Sequence, residues 1–236
     1  MKIFTGLLCA LVMAMLPAQG AVINLFDWGF NIDGTTWCKF GPCDNDSNNL
    51  PWVLPGSIDT SGFNFTDGLG NVVITIGGAG AHYVDFFVDH EIDETINTFF
   101  NESGATTGTA AAGQSWEIDE PGYSFGDIFS NLLGSTLDNG NGVPAGSEDD
   151  VSMAMGWDFS LLDGETAVIQ FLISNSAPVS GFYLTQTDPD SGASIYFSSS
   201  LNVGGTVIPE PSQFLPGIGL LGLLYYRIRR GKKRAA

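Results

Sequence analysis

Basic residues are almost missing from the middle of this chain. Eight Lys and Arg stand against 26 Asp and Glu in 236 residues, and seven of the eight are Lys2 and the cluster at 227–234. Between residues 21 and 208, Lys39 is alone among 25 carboxylates, a net charge of −24. Such a body cannot neutralise phosphates, which excludes nucleic acid as a partner. Salt bridges cannot hold it together either. Its carboxylates must be solvated, hydrogen-bonded to backbone N–H groups, or matched by cations from the medium.

Nucleophile chemistry is missing as well. No Gly-x-Ser-x-Gly elbow occurs, and residues 113–117, Gly-Gln-Ser-Trp-Glu, lack its last glycine. The run His90-Glu91-Ile92-Asp93-Glu94 begins like a zinc-protease helix but has glutamate where the second histidine belongs. Its acids read as a cap on a helix N-terminus. His82 and His90, the only histidines, share parity along a strand and give a metal-site alternative. Gly77-Gly78-Ala79-Gly80 carries no third glycine or basic residue for a phosphate loop and reads as a bend. Paired carboxylates of a glycosidase fit anywhere among so many acids, so none is singled out.

Cysteine is scarce too. Cys9 falls in an apolar N-terminal segment, leaving Cys38 and Cys43 around a Gly-Pro turn. This spacing predicts a disulfide in an oxidising compartment, with a zinc site as the alternative requiring two further ligands.

What is present is strand pattern. In residues 151–159 every odd position is large and apolar and every even one small or polar, a period of two that predicts one buried face. Similar runs at 22–30, 71–76, 83–88, 167–173, 182–186 and 194–197 are separated by Gly, Asn, Asp and Ser clusters. They predict a mainly all-β domain over residues 21–206, an antiparallel two-sheet sandwich or jelly roll. Ile92, Ile96, Phe99 and Phe100 keep a helical period, as do Phe125, Ile128, Phe129, Leu132 and Leu133, so one or two short helices are expected. Residues 106–113 and 134–150 read as surface loops.

Two loops place oxygen ligands at alternate positions: Asp44, Asp46 and Asn48, and Asp188 and Asp190. Alternate side chains of a tight loop can converge on calcium, although Asp and Asn also form turns without it. Trp37 and Trp52 flank the cysteine pair in Pro- and Asn-rich sequence and are candidates for stacking on carbohydrate; Trp157 belongs to the buried alternation.

Both ends carry addresses. Residues 1–20 combine Lys2, an apolar segment and small residues before position 21, the layout of a cleaved signal peptide. At the other end Pro209-Glu210-Pro211-Ser212 precedes an uncharged run at 214–226 and the basic end. Thirteen helical residues span about 20 Å against a bilayer core of about 30 Å, so the segment reads as a temporary anchor, with its charges cytoplasmic.

The tail, residues 207–236, resembles the PEP-CTERM sorting signal of Gram-negative bacteria, on its Pro-Glu-Pro-Ser motif, apolar run and Arg/Lys cluster. The resemblance implies processing by an exosortase-type enzyme after signal peptidase has acted, transient membrane association, and export linked to extracellular polysaccharide or biofilm. The resulting expectation is a non-enzymatic, adhesive protein of the cell surface or matrix with calcium as its candidate cofactor; a secreted polysaccharide hydrolase is the alternative.

Overall fold

The computed structural model describes residues 21–46, 54–93 and 98–204. The signal peptide, the sorting motif and the expected C-terminal hydrophobic helix lie outside the described residues, as do Asn48 and Trp52. Among the described residues no helix is long and apolar enough to cross a membrane.

Alternating sequence becomes strand throughout. The strands are β1 (Ile23–Ile32), β2 (Thr35–Cys38), β3 (Asn45–Asp46), β4 (Ile58–Asn64), β5 (Leu69–Gly77), β6 (Gly80–Ile92), β7 (Ser103–Thr107), β8 (Gln114–Asp119), β9 (Ser152–Leu161), β10 (Thr166–Ser174), β11 (Tyr183–Thr187) and β12 (Ser194–Val203). They form two six-stranded sheets, β3-β2-β1-β6-β9-β8 and β4-β5-β10-β12-β11-β7. All pairings are antiparallel except the short β2–β3 contact. The expected two-sheet sandwich is the fold.

Its core is aromatic. Phe30 and Phe86 stack at 4.4 Å within the first sheet, and Phe86 meets Phe171 and Phe197 of the second at 5.5 and 5.7 Å. Trp157 is buried in the same core. Cys38 and Cys43 form the expected disulfide.

A second layer covers the outside of the first sheet. The helix α1 (Ile128–Gly134) seats Ile128, Phe129 and Leu132 against Phe87, Ala154 and Cys38. Its terminal carbonyls need partners from beyond the helix; the Ser135 N–H donates to Leu132 at 3.2 Å, and Asn31 Nδ2 donates to Leu132 and Leu133 at 2.8 and 3.0 Å. The small even positions of β9, Ser152, Ala154 and Gly156, are therefore buried as well as the large odd ones. One buried face was the expectation there; the helix makes it two. Residues 135–150 form the expected loop, but it lies along the edge strands β7 and β8, bonding Gly104 and Ile118 and protecting both edges.

The other expected helix is corrected. Ile92 ends β6, paired with Ile23, because the inward alternation Val84, Phe86, Val88 continues through His90 and Ile92. Ile96 lies outside the described residues, among which a 3-10 turn at Phe99–Asn101 follows. Of the acids that read as a helix cap, Glu91 is an outward-facing residue of β6, Asp93 accepts from the Val22 N–H just beyond the strand, and Glu94 lies outside the described residues.

Asp85, on the same outward face of β6, reports on the helix layer. Asp85 occupies space left by Gly156, where a Cβ would overlap its Oδ1, and burial pushes its carboxyl up to about 7. With the folded value above the unfolded one, the folded state holds the extra proton, so stability falls as pH rises from about 4 through 7. Asp85→Asn removes that dependence. Its gain in stability at pH 8 should exceed that at pH 5 by on the order of 2 kcal/mol, read from thermal melts.

Candidate metal centre

The outward row of β6 continues past the end of α1 as Asp89 and Glu91. Facing Asp89 across the β1 pairing is Asp27, at a bulge where Phe26 is the extra residue. Without that bulge Asp27 would point into the core and Trp28 out of it; with it, Trp28 packs inside and Asp27 joins the outer acids. Asp150 arrives from the loop before β9, fixed by the reciprocal backbone bonds of Glu102 and Asp149 at 3.1 Å.

Asp89, Glu91 and Asp150 converge. One oxygen from each lies within 4.8 Å of the others. Asp89 is only 1% exposed, and neither of its carboxylate oxygens has a hydrogen-bond donor. Burial, then the charges of Asp150, Glu91, Asp27 and Glu102, hold its carboxyl well above the ordinary range. Burial likewise pushes Asp150 up to about 7 and Glu102 up to about 9.

Asp27 differs. Tyr123 Oη donates to it at 2.6 Å, and the N–H groups of Trp28 and Phe40 donate at 2.7 and 3.1 Å. Burial still raises it to about 6. Lys39 sits close by, donating to the carbonyls of Leu25 and Phe26. Asp27 is thus a satisfied support, whereas Asp89 is a buried acceptor with nothing donating to it. A buried carboxylate left this way is neutralised by a proton or by a cation. An all-oxygen donor set selects hard cations over zinc.

A second acid group, Glu117, Asp119 and Asp127, is already engaged. Glu117 accepts from Asn131 and the Asp138 N–H, and Asp119 from the Asp127 N–H, so these acids hold α1 and its flanking loop.

The sequence-predicted ligands fall elsewhere. Asp44 accepts from the N–H and hydroxyl of Thr36, at 3.0 and 3.1 Å. Asp188 accepts from the N–H groups of Asp190 and Ser191, and Asp190 from Asn101. Both loops use these acids to shape turns, and the loops are not brought together in either acid group. Asp46 belongs to β3. Trp37 is half-buried against the main core, leaving only part of its ring open. His82 binds Asp33 and the Gly78 carbonyl, while His90 is buried inward on the Gly68 carbonyl. They stand eight residue steps apart along β6, roughly 26 Å, too far to share an ion.

Beside the three acids opens a cavity of about 350 Å³, lined by Asp89, Glu91 and Asp150 together with Phe99, Phe100 and Phe125. The fold and site together define an antiparallel β-sandwich with a buried acidic centre. No family model, curated protein or solved structure matches the chain.

Proposed function

We propose that this chain is an exported, non-enzymatic protein of the cell surface or extracellular matrix, adhesive in character and stabilised by calcium at Asp89, Glu91 and Asp150. The observation that carries the reading is Asp89: fully buried, without a donor, and next to two further acids in a body whose single lysine is used elsewhere. Calcium suits the site because it accepts flexible carboxylate and water coordination, where magnesium demands a near-ideal octahedron. Export is supported by the two terminal segments and by the disulfide.

The hydrolase reading keeps one supporting observation, the aromatic lining of the cavity. Against it, the three acids converge on one point, whereas a glycosidase pair flanks a bond with carboxyls about 5 to 9.5 Å apart.

Export is tested by replacing Pro209 and Glu210 together with alanine in the native host. Loss of C-terminal processing and of surface delivery is expected. Unchanged processing and delivery would refute the sorting role.

A further inference from the structure

A cation held by Asp89, Glu91 and Asp150 receives oxygens from the protein side alone. Calcium takes six to eight, so its remaining positions face the cavity and are filled from outside. The rim of that cavity is unusual. Among the described residues four aromatic rings are exposed, Phe26, Phe100, Tyr123 and Phe125, and all four line it. Exposed rings elsewhere on the body are absent among those residues, so their gathering here is not ordinary surface apolarity.

Cation and rings together fit one chemistry. Vicinal hydroxyls of a sugar replace water on calcium, and the C–H face of the pyranose lies on an aromatic ring. Charge selects the type of sugar. Three ionised carboxylates around a divalent ion still leave one negative charge, within a body of −24, so a uronate or sulfated glycan is repelled. We infer that the cavity binds a neutral glycan through a vicinal diol on the bound cation, with Phe100 and Phe125 as the stacking rings. The inference rests on the calcium reading above and adds its ligand.

The experiment is affinity electrophoresis of the full chain in gels cast with mannan, dextran or alginate, with calcium or EDTA, beside thermal melts in the same buffers. Retardation by at least one neutral polysaccharide is expected in calcium and lost in EDTA. Phe100 and Phe125 are 59% and 70% exposed, so their alanine variants should fold. Phe100→Ala and Phe125→Ala should each weaken retardation by about tenfold while keeping the calcium shift of the melt. Absence of retardation with an intact calcium shift overturns the glycan inference alone; absence of the shift overturns the calcium reading as well. Retardation only in alginate, or retardation indifferent to EDTA or to both Phe variants, also overturns the inference.

Discussion

In EDTA at pH 8 the Asp89→Asn variant should melt above the wild type, and in excess calcium the order should reverse. Without a cation, Asp89 is buried among Asp150, Glu91, Asp27 and Glu102 with no donor of its own, and at pH 8 either keeping its charge or taking up a proton costs free energy. An amide carries no charge to bury, so the metal-free fold gains. With calcium the wild type gains RT ln(1 + [L]/Kd), about 4 kcal/mol at a thousandfold excess over Kd. For a body of this size that is roughly 10 °C in Tm. The variant, short of one charged ligand, keeps little of it. A purely structural Asp89 would shift the melt in one direction in both buffers, so the reversal separates the two roles.

The same acids set the pH response. Folded values of about 6 for Asp27, 7 for Asp150 and 9 for Glu102 lie above the ordinary carboxylate range. The folded state therefore retains protons that the unfolded state has lost, and metal-free stability falls as pH rises through these values. His90, pushed down to about 4 by burial, acts in the opposite direction. Its contribution is gained between about 4 and 6.5, so the interval from 6.5 to 9 reports the carboxylates. Calcium should flatten the decline there by taking the place of the protons.

Phe86→Ala should be the most damaging single truncation. The ring is fully buried and meets Phe30, Phe63, Phe171 and Phe197 at centroid distances of 4.4, 5.9, 5.5 and 5.7 Å, joining both sheets. Removing such a ring costs about 4 kcal/mol through lost transfer energy and the cavity left behind. Thermal melts should fall by about 10 °C in EDTA and in calcium alike, because the acids lie on the opposite face of the sheet. A fall under about 3 °C would show that the two sheets are not joined through this cluster.

Much of the fold was legible because its strands alternate. The seven runs read from the sequence became β1, β5, β6, β9, β10, β11 and β12. Strands β2, β4, β7 and β8 lacked that pattern: Ser103–Thr107 is small and polar, and at an edge its pairing with β11 and its bridge to Pro144 of the 135–150 loop decide its state. The end of β6 was misread because alternating acids and apolar residues over so short a stretch satisfy a helical period too.

The candidate centre was less legible. Composition predicted cations for an acidic body, but the Asp-rich loops that carry a ligand-like spacing use their acids to shape turns. Asp89 and Glu91 sit two apart on a strand, the spacing of any outward pair, and Asp150 is distant in sequence. One local cue existed: in Leu25-Phe26-Asp27-Trp28 the alternation slips, and the bulge there turns Asp27 toward the acids. Only the sheet register brings the set together.

The most direct measurement is a crystal structure of the full chain grown in calcium, read for anomalous scattering at the three acids. The account predicts a calcium ion roughly 2.3 to 2.6 Å from oxygens of Asp89, Glu91 and Asp150, with further positions open to the cavity. No ion there, or an ion only at Glu117, Asp119 and Asp127, would contradict it.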